Sequence, residues 1–426
     1  MRNNLLVLTA CTGCVASMTV LFSMEGMAQL QQATLWITKE VQTASVFFVP
    51  SITITQINNE YHGAIPSPTV EAKKVRILIV PGHQPSVGGA EFGGVKERDV
   101  VVDIANSLAD ILAQNSHYEV MVARTKDAWN PILQSYFDTH VLEIDTFEQS
   151  QKLQMANYIA QGSILPEVDQ VYHNTTSSQG ALQLYGINKW SNENSYDIIL
   201  HLHINDYAGR RMEATGKYTG FAVYVPDHQY SNAEASKSIG EAIAARLNAY
   251  HATSTLPRED VGVVPDQELI AIGSNNTTDG AALLIEYGYI YEPQFQDPSI
   301  RSLSVADYAL QTYLGLQDFF KDPMTSSYGS VSFPYDWDKV TGKKGENGPP
   351  IYALQAALHY LGYYPPKGKN FNECPISGEA GPCTRAAIID YQKAHKLDTT
   401  GILGPETRSA LFQDTERPTS SSITLR

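Results

Sequence analysis

The chain has 426 residues, 43% of them hydrophobic and 10% aromatic, so it can bury a large core and is neither disordered nor fibrous. Its 30 Lys and Arg residues against 45 Asp and Glu residues give a formal net charge of −15, and no basic run interrupts that balance. We therefore expect no nucleic-acid partner. An anionic polymer would have to be held by shaped sites, because bulk charge would repel it.

The first 28 residues predict export. Leu5–Phe22 carries no charge, and Gly26–Ala28 supplies small residues for a cleavage site. The same stretch is just long enough to span a bilayer, so a cleaved signal peptide and a retained membrane anchor are both open. Leu8–Cys11 leaves lipidation as a third alternative. Each alternative takes the chain out of the cytoplasm, to the cell envelope or the extracellular space.

Residues 29–74 predict a spacer or a small accessory β segment. They mix polar and proline-containing stretches with two β-prone runs, Ala44–Val49 and Ser51–Ile57.

Residues 75–321 alternate short apolar runs with amphipathic segments. The runs predict five strands, and apolar residues at helical spacing predict three helices. The strands are Val75–Val80, Tyr118–Ala123, Asp197–Ile204, Gly220–Val225 and Ala281–Ile290, and the helices are Val100–Leu112, Ala233–Tyr250 and Val305–Lys321. Strands separated by helices indicate an α/β fold, with a mostly parallel sheet flanked by helices.

One stretch, Tyr158–Ser195, breaks this rhythm. It has little periodicity and many Asn, Ser and Gln residues. We interpret it as an insertion close to the third strand, and hence beside a site.

The C-terminal part predicts a linker over residues 322–350, a small three-helix domain over 351–413 and a disordered tail over 414–426. The linker is rich in Ser, Gly and Pro. The predicted helices are Ile351–Leu361, Thr384–Lys396 and Pro405–Phe412. A Cys374–Cys383 disulfide would stabilise so small a core in an oxidising compartment.

Chemistry-bearing residues collect at predicted strand ends. His83 lies just past the first strand, His201 and His203 end the third, and Glu286 interrupts the apolar run of the fifth. Glu97 lies 14 positions after His83, at the start of a helix. Open α/β sheets place their sites at the carboxyl edge. Two histidines and one glutamate with an open position form a catalytic zinc set, and a further glutamate can act as general base.

Each residue also has an ordinary structural interpretation. His83 could cap a strand end, and Glu97 beside Lys96 and Arg98 could be a solvated helix start. His203 could be a hydrogen-bonded core residue. Glu286 is the hardest to explain this way, because an unpaired carboxylate in an apolar strand is costly.

An ordered set of motifs between Val75 and Lys321 resembles the zinc-dependent N-acetylmuramoyl-L-alanine amidases that cut bacterial peptidoglycan. The motifs are Val80-Pro-Gly-His83, Gly94-Val-Lys-Glu97, Ala123-Arg124-Thr-Lys-Asp127, His201-Leu-His203-Ile-Asn205, Gly220-Phe-Ala-Val-Tyr224 and Leu284-Ile-Glu286-Tyr-Gly288. The resemblance implies zinc held by His83, Glu97 and His203, with Glu286 as the catalytic carboxylate. The implied reaction is hydrolysis of the amide between N-acetylmuramic acid and L-alanine.

Ile351–Leu411 resembles a peptidoglycan-binding domain. The landmarks are Leu354-Gln355, Tyr391-Gln392 and Gly401-Ile-Leu-Gly404. A generic three-helix bundle is the alternative. A wall-binding module would give this acidic chain the shaped site that an anionic polymer requires.

Four residues near the implied ligands are predicted to support them or to contact substrate: His201, Asn205, Arg210 and Arg211. His201 stands where the family usually has a small hydroxyl residue. It shares a strand face with His203, so it could support a ligand, bind the metal, contact substrate or merely pack. The two arginines could pair with substrate carboxylates, but ordinary surface charge is the simpler interpretation.

The Tyr158–Ser195 insertion replaces a connection that is usually short, which suggests a lid over the cleft. An occluding lid would require a protein activator. Two other functions stay open on the sequence, a zinc peptidase acting on the stem peptide and a non-catalytic wall-binding protein.

Overall fold

The computed structural model describes residues 51–63, 73–168, 170–173, 175–322 and 340–415. The predicted export segment 1–28 lies outside these residues, as does the predicted run Ala44–Val49. Within the described ranges, no helix is both long and apolar enough to cross a bilayer.

Eight strands and eight helices are described before residue 323. The strands are β1 Val75–Pro81, β2 Glu91–Phe92, β3 Val95–Lys96, β4 Tyr118–Val122, β5 Ile198–Asn205, β6 Ala222–Pro226, β7 Val263–Asp266 and β8 Ala281–Tyr289. The helices are α1 Ile54–His62, α2 Glu97–Leu112, α3 Pro131–Thr139, α4 Val141–Ala160, α5 Ser178–Glu193, α6 Ala233–Tyr250, α7 Pro293–Gln296 and α8 Pro298–Phe320.

Six of the strands form one sheet in the order β4-β1-β5-β8-β6-β7, and β2 and β3 form a separate hairpin. Strands β4, β1, β5 and β8 are parallel, while β6 is antiparallel to β8 and parallel to β7. The predicted α/β class with a mostly parallel sheet is therefore confirmed. The sequence did not indicate β7, which is a four-residue edge strand containing Pro265.

Helices cover both faces of the sheet, so its central strands are apolar on both sides. Residues such as Ile79 and Leu200 pack with α2, α6 and α8 on one face. Residues such as Val80 and Leu284 pack with α3, α4 and α5 on the other. This double burial explains why the strands read as continuous apolar runs rather than alternating ones.

The predicted β run Ser51–Ile57 is wrong, because most of it belongs to helix α1. Thr53 and Gln56 form a reciprocal capping box that starts the helix. Ile57 and Tyr61, four residues apart, are buried, and the Tyr61 ring stacks on Phe320 of α8 at 4.1 Å. β-branched composition misled the prediction, whereas the cap and the i, i+4 apolar pair determine the structure.

The Tyr158–Ser195 stretch is not an irregular insertion, because helix α5 occupies its second half. The Ser177 side chain caps α5 by accepting from the N–H of Gly180. Tyr185, Ile187 and Trp190 are buried in the core. The buried Asn188 donates to the carbonyl oxygen of Ile270 and to Thr277. Several residues on the buried face of this helix are polar and hydrogen-bonded. The helix could therefore not be recognised from hydrophobic periodicity.

The C-terminal domain has the three predicted helices around its own core. They are α9 Pro349–Tyr360, α10 Pro382–Ala394 and α11 Pro405–Thr415. The Cys374–Cys383 disulfide is present. Two predicted boundaries are wrong. Val340 is already buried in this core, and α11 continues through Asp414 to Thr415, since Asp414 accepts a hydrogen bond from Tyr391.

The two domains are in direct contact through α6, α8 and α9. The rings of Tyr250 and Tyr360 stack at 5.2 Å. Ile300 of α8 is buried in the C-terminal core. The Nε2 atom of His359 lies 3.1 Å from the carbonyl oxygen of Asn248. The C-terminal domain is therefore packed against the helical layer and is held by more than the chain connection.

Candidate active site

The carboxyl edge of the parallel strands brings the predicted site residues together. His203 on β5 is the register partner of Glu286 on β8. Alternate strand residues share a face, so both side chains lie on the side covered by α3, α4 and α5. The N–H of Gly82, directly after β1, donates to the carbonyl oxygen of Leu202 at 2.8 Å, which places His83 beside them.

His83, Glu97 and His203 form a cluster that could hold a metal ion, with one candidate ligand atom from each lying within 4.8 Å of the others. The Nε2 atom of His83 is 2.9 Å from Oε1 of Glu97, and Nδ1 of His203 is 3.0 Å from the same oxygen. The His83 and His203 side chains are 29% and 16% exposed, and that of Glu97 is 4% exposed. Both histidine side chains therefore keep contact with solvent, whereas the Glu97 side chain is almost fully buried.

Glu97 is the first residue of α2, where the helix dipole favours a carboxylate. Its Oε2 accepts from the N–H of Ala90 at 2.7 Å, and its Oε1 accepts from the N–H of Ile204 at 3.1 Å. Burial alone would raise the pKa of Glu97, but the charges and hydrogen bonds of His83 and His203 hold it well below its usual value. Glu97 is therefore a carboxylate, the form in which a glutamate side chain binds a metal ion.

Glycine allows the two imidazoles to approach. A Cβ on Gly82 would lie 2.3 Å from the ring of His203, so no larger residue fits there without moving that ring. His83 itself has φ 68°, in the left-handed region that residues other than glycine seldom occupy. The loop thus turns the His83 ring back toward Glu97 through a backbone conformation that needs support from its surroundings.

The cluster fits a divalent metal. Nε2 of His83 is buried and points at Oε1 of Glu97, 2.9 Å away, so a metal ion bound by both would lie between them. Burial lowers the pKa of His203 despite the opposing effect of Glu97, which favours the neutral imidazole that binds metals. Two imidazoles and a carboxylate are a donor set of catalytic zinc sites.

Glu286 lies beside the cluster with its Oε2 buried and without a hydrogen-bond partner among the described residues. Burial raises its pKa well above the usual value, and the charges of Glu97, Glu259 and Asp206 add to the effect. A carboxyl that holds a proton more tightly than usual is suited to general acid–base chemistry.

His201 is not part of the cluster. It lies one step below His203 on the same face, in the row that includes Val80 and Leu284. The residue is 1% exposed, and neither ring nitrogen has a hydrogen-bond partner within the described part of the chain. Burial and the nearby His203 lower its pKa to about 3, so the ring is neutral. Among the roles predicted for His201, packing in this apolar row is the one that its contacts support.

Asn205 is not part of the cluster, and its side chain donates to Oε1 of Glu259 at 2.9 Å. Glu259 is 1% exposed and also accepts from Tyr224 at 2.5 Å, from Tyr289 at 2.8 Å and from Ser254. No pattern in the sequence pointed to Glu259. A single acid in a charged loop segment carries no signal of its own.

Arg210 is neither a free surface charge nor available to substrate. Its side chain is 1% exposed and makes a two-pronged contact with Asp206 at 2.6 and 2.8 Å. It also donates to four backbone carbonyls and lies between the rings of Phe92 and Tyr291. Arg211, by contrast, is exposed.

The predicted lid contacts the loop that carries His83. Nε2 of Gln84, the residue after His83, donates to Oε1 of Gln183 on α5 at 2.6 Å. Since the two histidine side chains keep solvent exposure, this contact supports the loop without sealing the cluster.

The fold and the cluster together define an α/β protein with a His–Glu–His group at its sheet edge that could hold a metal ion. The sequence profile of the N-acetylmuramoyl-L-alanine amidase family matches residues 77–298, a little more than half of the chain. A second profile, for a peptidoglycan binding domain, matches residues 347–411. The chain therefore belongs to the N-acetylmuramoyl-L-alanine amidase family and carries a peptidoglycan-binding domain. The resemblance predicted from the motifs is confirmed.

Solved amidases are similar to the catalytic region at low sequence identity. An N-acetylmuramoyl-L-alanine amidase from Clostridium difficile is 16% identical, with a TM-score of 0.37, covering 59% of this chain and 98% of that one. Those from Nostoc punctiforme and Mycobacterium smegmatis are 15% and 12% identical, with TM-scores of 0.36 and 0.37. Each covers 58% of this chain and 97% of the other. No curated protein matches the chain. Family membership rests on the profile match.

Proposed function

We propose that this amidase is zinc-dependent and that His83, Glu97 and His203 hold the metal. The observation that carries the proposal is the convergence of two imidazole nitrogens on one oxygen of a buried, anionic carboxylate. The partial exposure of both histidines leaves one side of the site for water and substrate. Zinc, when bound there, supplies a Lewis acid that activates water and polarises the scissile carbonyl.

Glu286 is the catalytic carboxylate in this proposal. It takes a proton from the attacking water and returns it to the leaving nitrogen of L-alanine. Its position next to His203 in register and its unpartnered Oε2 support the role. Burial raises the pKa of Glu286 well above its usual value, which makes the carboxylate a stronger base toward the attacking water.

The remaining residues of the site act on the ligands or on the fold. Gly82 makes room for the His203 ring, and the N–H groups of Ala90 and Ile204 fix the Glu97 carboxylate. Arg210 organises the loop after β5 and is assigned no substrate contact. The exposed Arg211 is the better candidate of the two for a substrate carboxylate.

We place the catalytic domain at residues 51–322 and the wall-binding domain at 340–415. The packing of α1 on α8 supports the first boundary, and the burial of Val340 and Thr415 supports the second. A substrate in the cell wall and a disulfide in the binding domain support export to the envelope through residues 1–28. Whether that segment is cleaved or anchors the chain stays a prediction.

Digestion of purified peptidoglycan by residues 29–426, with and without a chelator, tests the proposal. We expect chelator-sensitive release of intact stem peptides that begin with L-alanine, identified by mass spectrometry, and recovery on adding zinc. Shortened peptides would assign a peptidase instead. Binding to the polymer without any release would leave a wall-binding protein.

A further inference from the structure

One motif residue, Arg124, has no role in the chemistry above, yet it is among the most buried side chains in the molecule. It lies two residues after the end of β4 and is 1% exposed. An arginine is almost never fully buried unless its charge is compensated and its donors are used. No carboxylate among the described residues is hydrogen-bonded to it, so its partners must be sought in the backbone.

The guanidinium donates to four backbone carbonyls. Nε reaches the carbonyl oxygen of Pro81 at 3.1 Å, and Nη2 reaches those of Gly82 and Arg98, the latter at 2.9 Å. Nη1 reaches the carbonyl oxygen of Thr125 at 3.0 Å. A planar group with five donors in a fixed fork can meet this set, whereas an ammonium cannot span it.

Two of those carbonyls adjoin the proposed ligands on separate elements. Gly82 precedes His83 at the end of β1, and Arg98 follows Glu97 at the start of α2. Nη2 is shared between them, so a single nitrogen ties the two ligand-bearing segments together.

The contact with Gly82 restrains a costly conformation. Its N–H is bonded to Leu202 and its carbonyl oxygen to Arg124, which fixes the orientation of the peptide that leads into His83. His83 then adopts φ 68°. A non-glycine residue in that region persists only where its surroundings over-determine it.

We propose that Arg124 is a positioning residue of the metal site, holding His83 and Glu97 at metal-binding separation through the carbonyls of Gly82 and Arg98. The inference rests on the proposed zinc site. It assigns the Ala123-Arg124-Thr-Lys-Asp127 motif a task that requires a guanidinium rather than a positive charge alone. Replacing the Arg124 guanidinium is therefore expected to weaken zinc binding in a protein that still folds.

The test is the zinc affinity of the chelator-stripped enzyme, measured by competition with a chromophoric chelator, together with the visible spectrum of the cobalt-substituted protein. Arg124→Lys should bind zinc about 10- to 100-fold more weakly, as for other residues that orient metal ligands, and should change the cobalt spectrum. Arg408→Lys is the matched control, since Arg408 also donates to backbone carbonyls but lies in the C-terminal domain. It should leave both readouts unchanged.

The wild type and His203→Ala are measured first. A wild type that binds no zinc, or a His203→Ala variant that binds as tightly, would refute the zinc site itself. If the site stands, a folded Arg124→Lys protein with wild-type affinity and spectrum would overturn the positioning role. Should Arg124→Lys fail to fold at 25 °C, Arg124→Gln is measured at a temperature where its metal-free form is folded, against the same two criteria.

Discussion

His203 and Glu286 are register partners on adjacent parallel strands, and their side chains emerge on the same face at the carboxyl edge of the sheet. They lie 83 positions apart in the sequence. One is a proposed metal ligand and the other the proposed proton carrier, so the backbone ladder between β5 and β8 sets the geometry of the reaction. Parallel pairing at this edge is where open α/β folds place their sites.

Replacing Glu286 by Gln should abolish turnover while zinc stays bound. Gln keeps the shape but cannot take a proton, and we expect activity on peptidoglycan to fall about 10²- to 10⁴-fold. Zinc content measured by atomic absorption should be that of the wild type. The matched control is Glu241→Gln, an exposed helix position, which should stay fully active. An active Glu286→Gln enzyme would remove Glu286 from the mechanism.

Gly82→Ala should weaken zinc binding. The added Cβ would lie 2.3 Å from the His203 ring, which must then rotate away from Glu97. We expect about 10- to 100-fold lower affinity, measured by chelator competition. Gly404→Ala is the control, because a Cβ there meets no atom within 4 Å. Equal zinc affinities for Gly82→Ala and Gly404→Ala would show that the His203 ring can accommodate the added methyl group without leaving its position.

The stability of the metal-free protein should fall as pH rises through the range in which Glu292 titrates. Glu292 is 7% exposed, and burial raises its pKa to about 7 despite the N–H groups of Gly220 and Tyr289 that it accepts from. The unfolded chain loses this proton near pH 4.5, whereas the folded protein keeps it until about pH 7. Unfolding therefore becomes easier over that window, by about 3 kcal/mol at most.

Glu292→Gln should remove that part of the pH dependence, since an amide does not titrate. Urea denaturation of the chelator-treated protein at pH 5 and pH 8 measures it. The free energy of unfolding of Glu292→Gln, relative to that of the wild type, should be larger at pH 8 than at pH 5. For Glu241→Gln this difference from the wild type should be the same at both pH values. A constant difference between Glu292→Gln and the wild type at the two pH values would mean that Glu292 is ionised in the folded protein throughout.

The Cys374–Cys383 disulfide should stabilise the wall-binding domain without affecting the metal site. It closes a loop with a sequence separation of 9, for which the chain-entropy estimate is about 2–3 kcal/mol. The double variant Cys374→Ser with Cys383→Ser should therefore bind insoluble peptidoglycan less well at elevated temperature, in a sedimentation assay. Its zinc affinity should equal that of the wild type. A simultaneous loss of zinc would instead indicate that the two domains unfold together.

Several features could be predicted from the sequence because their cause is local or is carried by a motif. The apolar runs of β1, β5 and β8 are continuous because these strands are buried on both faces, so their positions were evident. His83, Glu97 and His203 belong to the family motifs, and the structure brings these three residues together in one cluster. The disulfide followed from two nearby cysteines in a chain expected to be exported.

Elements held by partners distant in the sequence were missed or misread. Helix α5 has polar residues on its buried face, and Asn188 is tolerated there only because Ile270 and Thr277 accept its hydrogen bonds. Arg210 read as surface charge because the carbonyls and rings that surround it are not visible in a local pattern. Glu259 gave no signal at all, since its four partners come from four separate parts of the chain.

The sequence by itself determined the fold class, the family and the candidate ligands, because hydrophobic runs and ordered motifs are properties of the chain read in order. The tertiary structure decided which of those residues meet. It joined Gly82 and Arg98 through Arg124, turned Asn205 toward Glu259 and left His201 in the apolar row beneath His203. The physical reason is that a buried polar group must find its partner in space, and the fold rather than the sequence spacing brings that partner near.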